Sequence, residues 1–171
     1  MNEYEIINAN AERVAKAIHS AIGEERPSVL SLTEWIEKNF GIEIKIKLLK
    51  SLSSRYSGLV YPDSKPGVYR VGINANDAVC RQQFTKCHEL AHIVRNFGLK
   101  YGFSCGEIYT TEGLERFCDQ FAASFLMPEE IFIREWKKIS DKDLWKRARI
   151  SRVFNVSGQA VYHRAKELKL I

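Results

Sequence analysis

The chain has 171 residues, of which 45% are hydrophobic and 27% are charged, as in ordinary globular proteins with a buried core. This length predicts one compact domain, or a domain with a small appendage. No stretch approaches the roughly 18 apolar residues of a membrane-spanning helix, and the first residues lack the basic and apolar regions of a signal peptide. We therefore expect a cytoplasmic protein with no membrane partner.

The net charge of +5 is concentrated near the C-terminus. Residues 134–171 contain 11 lysines and arginines against 4 aspartates and glutamates, whereas residues 1–133 contain 15 against 17. A basic surface is therefore expected on the C-terminal segment. No cysteine pair has the Cys-x-x-Cys spacing, so we expect free thiols that are mostly buried. The four cysteines are Cys80, Cys87, Cys105 and Cys118.

In chain order, the sequence first predicts two helices. Residues 8–21 place alanine, valine and isoleucine on one stripe, which indicates an amphipathic helix with Asn8 or Asn10 as its cap. Residues 31–34, Ser-Leu-Thr-Glu, form a capping-box pattern that predicts a second helix ending at Asn39.

A small sheet is predicted next. Isoleucine and leucine alternate with lysine and glutamate over residues 42–48, which predicts a strand with one polar face. Residues 55–61 predict a weaker strand, and residues 68–73 predict another after the turn cluster Pro62-Asp63-Ser64-Lys65-Pro66-Gly67. Together these segments predict a hairpin or a three-stranded antiparallel sheet.

The second half of the chain is predicted to be helical. A helix over residues 78–96, with Asn76 or Asp77 as its cap, is followed by a loop at residues 97–110 that is rich in glycine and aromatic residues. Further helices are predicted at residues 111–126 with Thr111 as cap, 129–138 opened by Pro128, 141–154, and 158–168 with Ser157 as cap.

Within the helix predicted at residues 78–96, His88-Glu89-Leu90-Ala91-His92 has the spacing His-Glu-x-x-His. Residues four apart lie on one face of a helix, so both imidazoles can bind one Zn²⁺ at roughly 2.0–2.1 Å. Glu89 follows the first ligand, where a general base for a metal-activated water is required. The same spacing also occurs by chance in surface helices, so these five residues alone leave both interpretations open.

A catalytic zinc site needs a third protein ligand and one open position. The helix predicted at residues 111–126 offers Glu112, Glu115 and Asp119, of which the last two are one turn apart and share a face. We assign Glu115 to the metal and Asp119 to a hydrogen bond with a ligand imidazole. Without the upstream motif, a solvated acidic helix face would be the better interpretation.

Two separated segments form a pattern that is much longer than the zinc motif. They consist of Arg81-Gln82-Gln83-Phe84-Thr85, His88-Glu89-Leu90-Ala91-His92, Glu115-Arg116, Asp119, Phe121-Ala122-Ala123 and Leu126-Met127-Pro128. Together with Ile73-Asn74 ahead of the first segment, this pattern resembles the ImmA/IrrE-type metallopeptidases over roughly residues 55–130.

The resemblance implies an α+β fold that is mostly helical and zincin-like (gluzincin-like), with a small antiparallel sheet and a C-terminal helix-turn-helix-like segment. The predicted domain limits are 1–138 and 139–171. The family's pattern places its ligands for Zn²⁺ on His88, His92 and Glu115, and its catalytic glutamate on Glu89. Such proteins occur in bacteria, phages and mobile elements, and typically relieve repression by cleaving or inactivating a helix-turn-helix repressor.

Peptide hydrolysis also requires an oxyanion donor besides the metal, and a surface that holds the substrate. Tyr101, Tyr109 and His163 are candidate donors, and the sequence does not discriminate among them. The strand predicted at residues 68–73 could pair with an extended substrate by β-augmentation, besides being an ordinary strand of the sheet.

Residues 152–161 resemble the core of a helix-turn-helix, with a turn at Asn155-Val156 between two helices. A basic second helix could enter a DNA groove. Alternatively, the segment docks the repressor or packs on the catalytic part of the chain, and we favour these over direct DNA contact.

Two functions are therefore compatible with the sequence. The first is a zinc-dependent endopeptidase that cleaves a helix-turn-helix transcriptional repressor. The alternative is a non-catalytic antirepressor, or another DNA- or protein-binding regulator, with a structural or vacant metal site. Removal of Glu89 separates them, because only the first function depends on a general base.

Overall fold

A computed structural model of the chain describes residues 2–98 and 110–171. The mainly helical α+β class expected from the sequence is confirmed. The elements are α1 (Glu3–Ile22), α2 (Val29–Phe40), β1 (Glu43–Leu49), β2 (Gly58–Pro62), β3 (Val68–Asn74), α3 (Val79–Gly98), α4 (Thr111–Leu126), α5 (Glu129–Lys137), α6 (Lys146–Phe154) and α7 (Gly158–Glu167).

Helix α1 begins earlier than the sequence pattern suggested. Asn2 is its N-cap, and Asn2 and Glu5 form a reciprocal capping box, so the predicted caps Asn8 and Asn10 are wrong. Asn8 instead accepts a hydrogen bond from Arg116 of α4 at 3.0 Å. The predicted apolar stripe is confirmed by its buried residues, which are Ile7, Ala11, Val14, Ala15 and Ile18.

Helix α2 also begins earlier than predicted. The Ser28 side chain accepts the Ser31 N–H at 3.0 Å, so Ser28 rather than Ser31 is the cap. Ser31 lies inside the helix, and its hydroxyl donates a hydrogen bond to Glu24 at 2.9 Å. The helix ends at Phe40, and Gly41 follows in the left-handed conformation with φ 64°, which glycine adopts without strain.

The sheet is mixed, with strand order β1-β3-β2. β2 and β3 form an antiparallel hairpin, but β1 pairs in parallel with β3, from Glu43 opposite Val68 to Leu49 opposite Asn74. The antiparallel prediction is therefore wrong for this pair, since alternation of side chains defines the faces of a strand but not its neighbours. The proposed pairing of residues 68–73 with a substrate is also wrong, because β3 is central and both its edges are occupied.

Two hydrophobic clusters hold the described residues together. The larger joins α1, α2, α3 and α4 to the inner face of the sheet, and includes Leu90 and Val94 of α3 and Phe117 and Phe121 of α4, all 0% exposed. The smaller joins α5, α6 and α7 to the end of α4. None of the described helices is both long and apolar enough to span a membrane.

One boundary in the segment from α5 to α7 differs from the prediction by several residues. Helix α6 begins at Lys146 rather than near residue 141, because Ser140 and Asp143 accept the backbone N–H groups of Lys142 and Trp145 in a turn. The predicted cap Ser157 is confirmed, since it accepts the Ala160 N–H at 3.1 Å. The smaller cluster contains residues on both sides of position 138, and a domain limit there stays a prediction.

Arg164 connects α7 to the rest of the fold through ion pairs and a hydrogen bond. Its side chain is 0% exposed, and its guanidinium contacts Glu12 of α1 at 2.8 Å and Glu167 at 2.9 Å. Its Nε also donates to the Met127 carbonyl at the end of α4, at 3.1 Å. One buried cation thus connects the N-terminal helix, α4 and the C-terminal helix.

Replacing Arg164 should therefore destabilise the whole fold. We expect Arg164→Ala to lower the free energy of unfolding by about 3 kcal/mol, because breaking a buried ion pair leaves partly buried carboxylates without a cation. Denaturant titration of the metal-free protein measures this change. Lys166→Ala, at an exposed position on the same helix, is the matched control. Equal stability of the two variants would contradict the role given to Arg164.

Candidate metal centre

Helix α3 presents the two histidines of the motif side by side. The Nε2 atoms of His88 and His92 are 3.3 Å apart, and the two rings are edge-to-face with centroids 5.1 Å apart. The opposite face of α3 carries Cys87, Leu90, Ala91 and Val94 into the core, which fixes the rotation of the helix. The imidazoles are thereby turned toward α4, with 14% and 16% of their side chains exposed.

Glu115 of α4 reaches both imidazoles with one carboxylate. Its Oε2 lies 3.2 Å from His88 Nε2, and its Oε1 lies 3.4 Å from His92 Nε2. Ligands at roughly 2.0–2.1 Å from a tetrahedral Zn²⁺ are about 3.3–3.4 Å from each other. The three donor groups therefore have the mutual spacing of a two-histidine, one-carboxylate zinc site.

Asp119 orients the first imidazole. Its Oδ1 lies 2.8 Å from His88 Nδ1, so an Nδ1–H donates to this carboxylate and leaves Nε2 as the free donor atom. Burial lowers the pKa of His88, but the hydrogen bond and charge of Asp119, together with the charges of Glu89 and Glu115, outweigh burial and raise it. The pKa of His92 is lowered by burial and by His88, which favours its neutral form.

Cys118 is a neighbour that the sequence did not indicate as a ligand. Its Sγ and the ring nitrogens of His88 and His92 all lie within 4.8 Å of one another, and the residue is completely buried. Its position three residues after Glu115 on α4 is the signal that could have revealed it. Glu115 lies within 3.4 Å of both imidazoles, and 51% of its side chain is exposed to solvent.

Glu89 lies in a less polar environment than Glu115 and Asp119, the other carboxylates of the site. Only 7% of the residue is exposed, and burial raises the pKa of Glu89 to about 7. The charge of His88 lowers this pKa and that of Glu115 raises it. A carboxyl group with a pKa near neutrality can both accept and release a proton at physiological pH, as a general base must.

Gly58, the first residue of β2, allows the sheet to approach Glu89 closely. A Cβ atom at this position would lie 2.9 Å from Glu89 Oε1 and 2.6 Å from Thr85 Cγ2. Any larger residue would therefore push β2 away from α3 or displace the Glu89 side chain. A glycine at the start of a weak strand was the available signal for such a contact.

A cleft with a volume of about 470 Å³ opens beside these residues. His88, Glu89, Glu115 and Asp119 all line it, together with residues of the segment before β2 and of α7. Of the three candidate oxyanion donors, His163 lines this cleft, whereas Tyr101 and Tyr109 lie outside the described residues.

The raised pKa of Glu89 has a consequence for stability. Between about pH 4.5 and pH 7, the folded metal-free protein binds more protons at Glu89 than the unfolded chain does, so this residue destabilises the fold as pH rises. We expect metal-free Glu89→Gln to be more stable than metal-free wild type at pH 8, by on the order of 2–3 kcal/mol, and the difference to disappear below about pH 4.5.

Thermal unfolding at several pH values tests this expectation. Glu34→Gln, at an exposed position of α2, is the control and should leave the stability unchanged at every pH. A stability difference between Glu89→Gln and wild type that does not vary with pH would show that Glu89 is not held in its neutral form.

Similarity to known proteins identifies the family of the chain. Residues 37–166 match the family model described as IrrE N-terminal-like domain, Peptidase_M78, and no curated protein matches. A solved structure described as a Mycobacterium tuberculosis transcriptional regulator is similar, with a TM-score of 0.62 and 19% identity. The similarity covers 96% of this chain and 51% of the other, so the chain spans about half that protein's length. Because the family model matches most of the sequence, the chain belongs to the IrrE N-terminal-like domain family of metallopeptidase type.

Proposed function

We propose that the protein is a zinc-dependent endopeptidase whose biological target is a helix-turn-helix transcriptional repressor. The observation that carries this proposal is the single Glu115 carboxylate within 3.4 Å of both motif imidazoles, with Glu89 buried beside them. His88, His92 and Glu115 would hold Zn²⁺ and leave a position open toward the cleft. Asp119 would fix the tautomer of His88.

Zn²⁺, when bound, supplies a Lewis acid that activates water and polarises the scissile carbonyl. Proton transfer and oxyanion binding are the roles of residues of the chain. Glu89, buried beside the metal ligands, accepts a proton from the attacking water and donates it to the leaving amine. His163 is the candidate oxyanion donor that lines the cleft within the described residues.

Strand β2, rather than the central strand β3, offers a backbone edge for substrate binding. It is at the edge of the sheet, and its first residue, Gly58, lines the cleft beside Glu89. An extended peptide that adds to this edge would pass the side of the cleft at which the general base lies. A peptide, rather than a small molecule, is therefore the substrate class that we propose.

A regulatory role is supported by the solved structure described as a transcriptional regulator, which shares the fold. The basic C-terminal segment is compatible with a nucleic-acid-associated partner, but at least five of its cations are engaged in ion pairs, and two of these cations are buried. Arg164 is buried against Glu12 and Glu167, and Lys146 is bonded to Asp141 at 2.7 Å and lies over the Trp136 ring. We therefore propose the repressor, rather than DNA, as the direct partner. The compartment that we propose is the cytoplasm.

Cys118 supports the alternative function. A metal held by His88, His92 and Cys118 together with Glu115 would have four protein ligands and no open position, as structural zinc sites do. The protein would then regulate by binding alone.

The two functions differ in their dependence on Glu89. We expect Glu89→Gln to bind one zinc per chain as the wild type does, but to cleave the repressor at least about 100-fold more slowly, because a general base contributes 10²–10⁴-fold. Co-expression with candidate helix-turn-helix repressors, followed by mass spectrometry of the products, measures this rate. Derepression that persists without cleavage in Glu89→Gln would favour the binding function.

Asp119 should control metal affinity. We expect Asp119→Ala to weaken Zn²⁺ binding about 10- to 100-fold, because His88 then loses the acceptor that fixes its tautomer. Competition with a chromogenic chelator measures the affinity, and Glu112→Ala, an exposed carboxylate on the same helix, is the control. Equal affinities of the two variants would argue that His88 does not bind the metal through Nε2.

A further inference from the structure

Helix α7 forms one side of the cleft that contains the candidate metal centre. Ser157, Gln159, Ala160 and His163 line it opposite Gly58 and the segment before β2. A second cavity, of about 650 Å³, is also lined by Glu115, Asp119 and His163, and continues between α4 and α7. The groove that passes the metal ligands is therefore bounded by α7 over the length of both cavities.

The part of α7 that faces the groove is polar and accessible. Gln159 and His163 are one helical turn apart, both are exposed, and their side chains are hydrogen-bonded to each other at 2.9 Å. An amide and an imidazole together offer donors and acceptors to a peptide backbone or to a polar side chain. Such groups suit an extended polypeptide better than an apolar ligand.

The position of α7 is fixed independently of any ligand. The buried Arg164 binds Glu12, Glu167 and the Met127 carbonyl, and Glu167 also accepts a hydrogen bond from Gln120 of α4. Ser157 caps the first turn of the helix. The wall that carries Gln159 and His163 is therefore held against the same helix, α4, that carries Glu115.

We propose that α7 is the second substrate-binding wall of the cleft, and that Gln159 and His163 bind an extended peptide segment lying between α7 and β2. This inference rests on the proposed peptidase function. In a DNA-binding helix-turn-helix, the N-terminal residues of the second helix contact the bases. Here the corresponding turn faces the groove, so the helix-turn-helix-like segment serves peptide recognition.

Two zinc-binding probes distinguish contacts with the walls of the cleft from contacts with the metal. Acetohydroxamate binds the metal alone, whereas a phosphinic hexapeptide of alanine and serine also reaches both walls of the cleft. We expect Gln159→Ala and His163→Ala, in the zinc-loaded protein, to weaken the phosphinic peptide about five- to tenfold each, as for one lost hydrogen bond. Acetohydroxamate should bind Gln159→Ala as it binds the wild type, and Gln159→Glu should retain part of the affinity lost in Gln159→Ala.

Arg152→Ala and Lys166→Ala are the matched controls, because both residues are exposed on α6 and α7 and neither lines the groove. Both should bind the phosphinic peptide normally. Unchanged peptide affinity in Gln159→Ala and His163→Ala would overturn the assignment of α7, and so would salt-dependent binding of duplex DNA that these two changes abolish. Failure of acetohydroxamate to bind zinc-loaded wild type would instead refute the open metal site, and the inference with it.

Discussion

The contact on which the site depends is that of Glu115 on α4 with His88 and His92 on α3. Two imidazole nitrogens 3.3 Å apart and a carboxylate within 3.4 Å of both form a compact group of donor atoms. Such an arrangement is satisfied by a cation, since both rings can then direct a lone pair at it. The spacing results from helix packing rather than from the motif alone.

The packing that produces this contact involves the faces of α3 and α4 that lie on the other side of each helix from the metal-binding side chains. Leu90 and Val94 of α3 and Phe117 and Phe121 of α4 are fully buried in one cluster, so neither helix can rotate without exposing apolar surface. This places the polar faces opposite one another at the mouth of the cleft. It also buries Glu89, whose raised pKa follows mainly from its loss of solvent.

Much of this organisation could be predicted from local patterns. The stripe of α1, the cap Ser157 and the spacing from His88 to His92 depend on neighbouring residues, and the sequence contains them completely. The parallel pairing of β1 with β3 could not be predicted, because strand alternation carries no information on direction or neighbours. The contacts of Gly58, Cys118 and Arg164 could not be predicted either, because they join segments that are distant in sequence. Gly58 and Cys118 carry only weak local signals in the sequence and Arg164 carries none, because the surroundings of all three exist only in the fold.

The central claim is that a two-histidine, one-glutamate centre holds zinc with an open position, and Cys118 is its clearest competitor. X-ray absorption spectroscopy of the zinc-loaded protein distinguishes the two, because Zn–S and Zn–N or Zn–O distances differ. We predict only nitrogen and oxygen neighbours at about 2.0–2.2 Å, with a spectrum that is unchanged in Cys118→Ser. A sulfur neighbour at about 2.3 Å that disappears in Cys118→Ser would contradict the account and indicate a closed, structural site.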